Sequence, residues 1–300
     1  VSIAANVTTS GGSFRSTGST FTNSGGTIDT SSGAASGGTL TIDQSSTVSL
    51  VAPLISNGAD ILVRVGSTFA DTTTINAGTG TVTIQPQADA TTIGVGTNGG
   101  TLILTATEIA AITAGSLVIG RSTGTAAINV GSDEVVAFGT KNVTIQQASG
   151  GITLQTNPIT GSGAMTFTAG SGTFTNAVAV NTTGAITVTA DDVVTSANVG
   201  AATVGAVIVQ PSTAAQTVNV ASGAGGLNLT EAEVNFFRGS GTNTGTLTIG
   251  SPAGLGAMTI GTGTLTVVGA GGLIFRNGAA RTFDGPVSAA STIRSQPPSR

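Results

Sequence analysis

The sequence contains no histidine, cysteine, tryptophan or tyrosine, and only 7% of it is charged. Each absence removes a class of chemistry. Without histidine and cysteine there is no zinc site of the usual kind, no thiolate nucleophile and no histidine-based triad. A general base would have to come from the 13 acidic residues, and Lys141, the one lysine, is the sole candidate for Schiff-base chemistry. No disulfide can support the fold, which suits an exported bacterial protein without requiring export. The net charge of −4 offers no basic face to nucleic acid or anionic lipid. Ten phenylalanines are the only aromatics, too few for the stacking platform of a single-strand binder.

Scarce charge is common in membrane and in disordered chains, and neither class fits. Residues 142–190 carry no charge, yet Thr, Gln, Ser or Asn interrupts them every few positions, so no run spans a bilayer. A transmembrane barrel would want Tyr and Trp girdles. Disorder goes with few β-branched residues, whereas this chain is rich in Val, Ile and Thr. It begins at Val1 with no charged, apolar leader, and is read as a mature or excised fragment whose signal lies outside it.

What the sequence does have is a recurring unit, a glycine followed by about four alternating residues. Examples are Gly38-Thr-Leu-Thr-Ile42, Gly80-Thr-Val-Thr-Ile84, Gly184-Ala-Ile-Thr-Val188, Gly245-Thr-Leu-Thr-Ile249 and Gly263-Thr-Leu-Thr-Val267. Period-two alternation predicts half-buried strands, with Leu40 and Ile42 inward and Thr39 and Thr41 outward. The glycine is expected to make a sharp corner at positive φ.

The units recur at intervals of about 8 to 20 residues, a spacing that suits a sandwich, a barrel or a solenoid. Self-similarity favours the solenoid. Thr81-Val-Thr-Ile-Gln-Pro86 returns as Asn142-Val-Thr-Ile-Gln-Gln147 and as Ala206-Val-Ile-Val-Gln-Pro211. Leu102-Ile-Leu-Thr-Ala-Thr-Glu-Ile109 matches Leu227-Asn-Leu-Thr-Glu-Ala-Glu-Val234 at an offset of 125 residues. Leu117-Val-Ile-Gly120 matches Leu247-Thr-Ile-Gly250 at an offset of 130, so five residues are inserted between Val234 and Leu247. The predicted fold is all-β, a parallel β-helix in which each coil buries its inner face against its neighbours. Roughly 20 residues per coil would give about 15 coils and a rod on the order of 70 Å long. Two segments, 107–113 and 230–237, have Thr closely followed by Glu and are expected to be short outward turns or single helical turns between coils. Residues 1–35 read as Ser/Thr/Gly-rich first coils, 36–275 as the solenoid body, and 276–300 as an Arg- and Pro-containing tail or linker with Pro297-Pro298 near its end.

The repeated pieces resemble the repeat regions of filamentous-haemagglutinin-like adhesins, bacterial exoproteins of the two-partner-secretion type. The resemblance rests on Gly80–Gln85, Leu102–Ile109, Leu117–Gly120 and the second copy at Ala206–Pro211, Leu227–Val234 and Leu247–Gly250. It implies a right-handed parallel β-helix shaft, exposure at the bacterial surface, and a role in attachment or cell–cell contact. The family's amino-terminal secretion motif is of the Asn-Pro-Asn-Gly type, and Asn157-Pro158-Ile159-Thr160 departs from it.

Each candidate site also has a plainer structural account. Asp191-Asp192 is the most tempting acid pair, because glycoside cleavage uses two carboxylates flanking one bond. Neighbours on a strand point to opposite faces, however, and an aromatic platform is missing, so a solvated turn is the expectation. Asp133-Glu134 and the pair Glu231 and Glu233 are treated alike. No Gly-Gly-x-Gly-x-Asp calcium repeat and no ligand cluster is present. Thr-x-Thr pairs at Thr39/Thr41, Thr81/Thr83, Thr166/Thr168, Thr187/Thr189, Thr246/Thr248 and Thr264/Thr266 raise an ice-binding face, but their intervals run irregularly from 18 to 85 residues. Outward threonine chosen for β propensity is the simpler account. Asn6, Asn142, Asn181 and Asn228 open Asn-x-Thr triplets that a Thr-rich chain produces by chance. Gly223-Ala-Gly-Gly226 is a corner with no Lys-Ser/Thr after it, so not a phosphate loop. Phe236-Phe237 is either a contact site or a capped core edge.

The sequence therefore predicts no catalytic residue, no cofactor and no metal. It predicts a non-catalytic extracellular rod that self-associates or meets a surface glycan or protein receptor, with no nucleic-acid partner. Alternatives are a filament subunit stacking end to end, an ice-binding solenoid and a polysaccharide-active enzyme.

Overall fold

The structure is a computed structural model that describes residues 1–33, 37–97, 99–200, 204–223, 225–261, 264–289 and 292–296. The glycine corner at Gly263, Ala224 of the Gly223–Gly226 corner, Pro297-Pro298 and Arg300 lie outside the described residues. The chain forms a parallel β-solenoid of about 13 stacked coils. Coils average longer than 20 residues because several plain coils take 26, as from Phe14 to Leu40 and from Leu117 to Val143, and two others carry inserts.

Each coil contributes in turn to three ladders. The first is continuous over twelve strands, from Phe14–Gly18 through Leu40–Gln44, Ile61–Val65 and Thr81–Pro86 to Leu273–Arg276 and Ile293–Gln296. The second begins with Phe21–Asn23, Thr47–Leu50 and Thr68–Asp71. The third begins with Val7–Thr8, Ile28–Asp29, Leu54–Ile55 and Ile75–Asn76. Past Phe275 the strands Arg281–Phe283, Val287–Ala289 and Ile293–Gln296 still pair in parallel with the preceding coil. Their inward side is thinner, and Phe283 is 46% exposed.

The alternation read from the sequence sets the register. Ile42, Val63, Ile84, Ile119, Ile145, Phe167, Val188, Val209, Ile249 and Phe275 stack one above another inside the first ladder, all buried. Each such side chain contributes about 1.5–3 kcal/mol of burial. A slip of one residue would turn the whole column outward.

The strand-leading glycines work differently from expectation. Gly38, Gly80, Gly184 and Gly245 are absent from the positive-φ residues. They are required by stacking: a Cβ on Gly245 would lie 1.7 Å from the Gly205 carbonyl oxygen of the coil below. Positive φ falls instead at the strand ends, as at Gly120 (φ +91°) and Gly250 (φ +93°).

Regular coils are short, with 21 residues between Met165 and its partner Ile186 and again between Ile186 and Val207. Two coils are long: 35 residues separate Val82 from Leu117, and 40 separate Val207 from Leu247. Both inserts follow one plan. A strand (Ile93–Val95 or Val218–Val220) is followed by a loop and a second strand parallel to it (Leu102–Leu104 or Leu227–Leu229), then a helix. The helices are α1 (Ala106–Ala111) and α2 (Glu231–Phe237). The first starts two residues earlier than expected, because Thr105 and not Thr107 is the N-cap. Thr105 with Glu108, and Thr230 with Glu233, form complete capping boxes.

Candidate functional site

The inserts interrupt the second ladder. Leu102–Leu104 lies beside Thr68–Asp71, and Leu227–Leu229 beside Ile186–Thr195, without ladder pairing across either gap. A strand edge left inside a solenoid needs acceptors for its N–H groups. In both copies the N3 glutamate of the helix supplies one. The Glu108 Oε1 accepts from the Asp71 N–H at 3.0 Å, and the Glu233 Oε1 accepts from the Thr195 N–H at 3.2 Å. The other oxygen of each glutamate accepts from the N-cap: Thr105 N–H at 2.7 Å and Oγ1 at 2.9 Å, Thr230 N–H and Oγ1 both at 2.9 Å. Both glutamates are buried.

The two copies differ in the residue that ends the strand. Thr195 is fully occupied, donating to the Ala197 carbonyl at 3.0 Å and accepting from Asn176 Nδ2 at 3.1 Å. Asp71 is not. Its Oδ1 accepts from the Thr73 N–H at 2.9 Å, while its Oδ2 is buried with no partner. Burial, opposed by the Thr73 hydrogen bond and helped by the nearby Glu108 carboxylate, raises the Asp71 pKa to about 6. A cleft of about 440 Å³ opens here, lined by Thr68, Phe69, Ala70, Asp71, Thr72, Thr101, Ile103, Thr105 and Glu108. The sequence marks Asp71 only by its place in the alternation of Thr68–Asp71, an inward position that pairs with Leu50, which pairs in turn with buried Asn23.

The second copy closes its extra length differently. Arg238, directly after α2, is buried and donates to three carbonyls, Gly245 and Gly271 at 2.7 Å and Val268 at 3.3 Å. Burial lowers its pKa from the usual guanidinium value. Asn243 adds bonds to the carbonyls of Val199 and Phe237. These residues hold the five-residue insertion as a structural clasp. Phe237 packs in the core and Phe236 is half-buried, so the doublet is largely core edge.

The residues singled out from the sequence are dispersed. Asp191 reaches the following coil, accepting from the N–H groups of Ser212 at 3.0 Å and Thr213 at 2.7 Å. Asp192 reaches the preceding coil, accepting from Thr173 Oγ1 at 3.2 Å. The two carboxylates serve opposite neighbours and tie coils together. Glu134 accepts from the Ala106 N–H at the start of α1, and Glu231 from the Thr266 N–H. Lys141 is buried, donates to the Ile112 carbonyl at 3.1 Å, and has its pKa lowered by burial. Asn6 and Asn142 accept from Thr27 and Ala164 N–H groups between coils, and Asn157 donates to the Gly131 and Ser132 carbonyls. Among the described residues no three acidic side chains converge as a metal site.

The Thr-x-Thr pairs are brought together more than their intervals suggested. Thr41, Thr83, Thr166, Thr187 and Thr248, one from each of five pairs, fall on a single outward column of the first ladder. Leu62, Val118, Thr144, Ile208 and Ile274 fill the other rungs between Thr41 and Ile274, and Arg15 and Arg294 stand at the two ends. Thr264/Thr266 belongs elsewhere, with Thr266 in the third ladder.

No family model, no curated protein and no solved structure matches the chain.

Proposed function

We propose that this chain is a non-catalytic extracellular rod, the shaft of a bacterial surface adhesin that mediates attachment or cell–cell contact. One observation carries this reading: the acidic pairs that the sequence singles out for a catalytic centre are spent in joining coil to coil. Asp191, Asp192 and Glu233 each accept hydrogen bonds from a neighbouring coil. Glycoside cleavage needs two carboxylates free to face one bond, and these serve opposite neighbours. The right-handed winding implied by the family resemblance belongs to the same proposal. The test is display of the chain on a non-adherent bacterium, with attachment to host cells and to like cells counted. Attachment above background, unchanged by Asp191→Ala and Asp192→Ala, is the expected result. Depolymerisation of an acidic glycan by the purified chain, abolished by those substitutions, would replace the shaft with an enzyme.

A second reading, an ice-binding face, draws on the threonine column. Aliphatic side chains occupy four of the ten rungs between Thr41 and Ile274, which weakens a regular hydroxyl array. A freezing-point gap between ice growth and melting, measured on the purified chain, decides it.

A further inference from the structure

The cleft between Thr68–Asp71 and Leu102–Leu104 holds two carboxylates, Asp71 and Glu108, with no cationic side chain paired to either. The ion pairs among the described residues are Arg64–Asp43 and Arg121–Asp89. Glu108 is needed by the architecture, since it caps α1 and satisfies the strand edge. Asp71 is not needed in the same way. The second copy builds the same insert with Thr195 at the equivalent position, and there every polar atom of the side chain is bonded. Asp71 thus adds a second negative charge and leaves Oδ2 buried and unpartnered beside the cleft. A buried anionic oxygen without a donor is a cost that a ligand can relieve.

We propose that this cleft is a cation site, taking one hard divalent cation of the calcium class on Asp71 and Glu108. Thr68, Thr72, Thr101 and Thr105 line the same space; the Thr72 and Thr105 hydroxyls donate to the Leu50 carbonyl and to Glu108, and their oxygens keep lone pairs that, with water, would supply neutral ligands. All the donors are oxygens, so zinc and copper are disfavoured. Calcium is favoured over magnesium because it accepts irregular shells of six to eight oxygens, whereas magnesium demands a near-ideal octahedron. With two carboxylates the affinity expected is weak, on the order of 0.1–1 mM, as in extracellular modules.

The test is calorimetric titration of the full chain with calcium chloride at constant ionic strength, repeated with magnesium chloride. Asp71→Thr installs the residue that the second copy carries, so the variant has a built-in precedent for folding. Asp191→Asn removes a carboxylate elsewhere. The parent is expected to bind one calcium, with its thermal midpoint raised by a few degrees at about ten times Kd. Asp71→Thr should lose on the order of tenfold or more in affinity together with that shift, while Asp191→Asn keeps both. A parent that binds no calcium at millimolar concentration would overturn the site. So would an Asp71→Thr variant that binds as tightly as the parent, or that is less stable than the parent in calcium-free buffer.

Discussion

Glu233 is the most exposed point in the logic of the inserts, because one carboxylate serves both a helix and a strand edge. Glu233→Ala removes the acceptor for three donors, Thr195 N–H, Thr230 N–H and Thr230 Oγ1. Thr195 is buried, so its N–H bears a desolvation cost of about 1–3 kcal/mol. Loss of the capping box adds about 0.5–2 kcal/mol. The expected total is ~2–5 kcal/mol. Glu233→Gln keeps one carbonyl oxygen for Thr195 but turns an amide NH2 toward the Thr230 donors, so ~1–2 kcal/mol is expected. Long repeat arrays do not unfold as one unit, so the assay is native-state hydrogen exchange resolved by peptide. Nearest-neighbour coupling in a solenoid confines the loss to coils touching the insert. Amides within 186–249 should exchange faster while those within 40–65 are unchanged. Glu108→Ala is the internal control. It removes the equivalent bonds but also relieves the Coulombic pressure on Asp71, so it should cost less than Glu233→Ala. A loss under ~1 kcal/mol for Glu233→Ala, or protection lost evenly along the rod, would refute the dual role.

Four further outcomes follow from the same physics. Arg238→Met removes the guanidinium that donates to the carbonyls of Gly245, Gly271 and Val268, and is expected to cost ~2–4 kcal/mol, read from thermal melting. Gly245→Ala drives a Cβ into the Gly205 carbonyl, so the variant should fail to give soluble chain with a β-type circular dichroism spectrum. Gly33→Ala meets nothing within 4 Å but sits at φ +69°, and should fold at a cost of about 1 kcal/mol. In calcium-free buffer, stability should rise as pH falls from 7 toward 5. Asp71 binds a proton in the fold at about 6 but in the unfolded chain only near 3.8, so the folded state takes up protons first. Glu108 is the titratable group facing it, and Glu134 binds the start of α1. Two pKa units set a ceiling near 3 kcal/mol, and water in the open cleft screens this to ~1–2 kcal/mol. Denaturant midpoints across pH for the parent and Asp71→Thr measure it, and the variant should be flat.

The strands were legible because their alternation is strict. Leu40-Thr-Ile42 and Val82-Thr-Ile84 alternate inward and outward as read, and the register follows from that rhythm. The two helices were legible from Thr and Glu, although Thr107 drew attention from the true cap at Thr105. The site residues were not legible. Asp71 becomes meaningful only when the ladder breaks beside it, and that break comes from an insert whose Glu108 lies 37 residues later in the chain. Arg238 likewise bonds to carbonyls 7, 30 and 33 residues away. No local pattern encodes such distances.

The threonine pairs show the same limit from the other side. Their irregular intervals argued against a common face, yet five of the six share one column of the first ladder. An interval in sequence counts residues, whereas a column counts coils, and coils here differ in length. From Thr166 to Thr187 is one plain coil, but Thr187 to Thr248 includes the insert that places α2. Counted by coil from Thr41, the five threonines stand on the first, third, sixth, seventh and ninth rungs, so they share a face without a regular beat and chemistry has to decide. Leu62, Val118, Ile208 and Ile274 stand in the same column as the threonines. Of its ten residues from Thr41 to Ile274, all but Leu62 are β-branched. Shape at Cβ is therefore held more strictly than the hydroxyl, as expected for side chains packing along a pleated face. A surface evolved to order water would hold the hydroxyl instead. Replacing Thr166 and Thr187 by valine keeps the shape and should leave the stability of the rod within about 0.5 kcal/mol, whereas alanine at both should cost more. If valine and alanine are equally costly by denaturant unfolding, the hydroxyls matter and the column has a polar task.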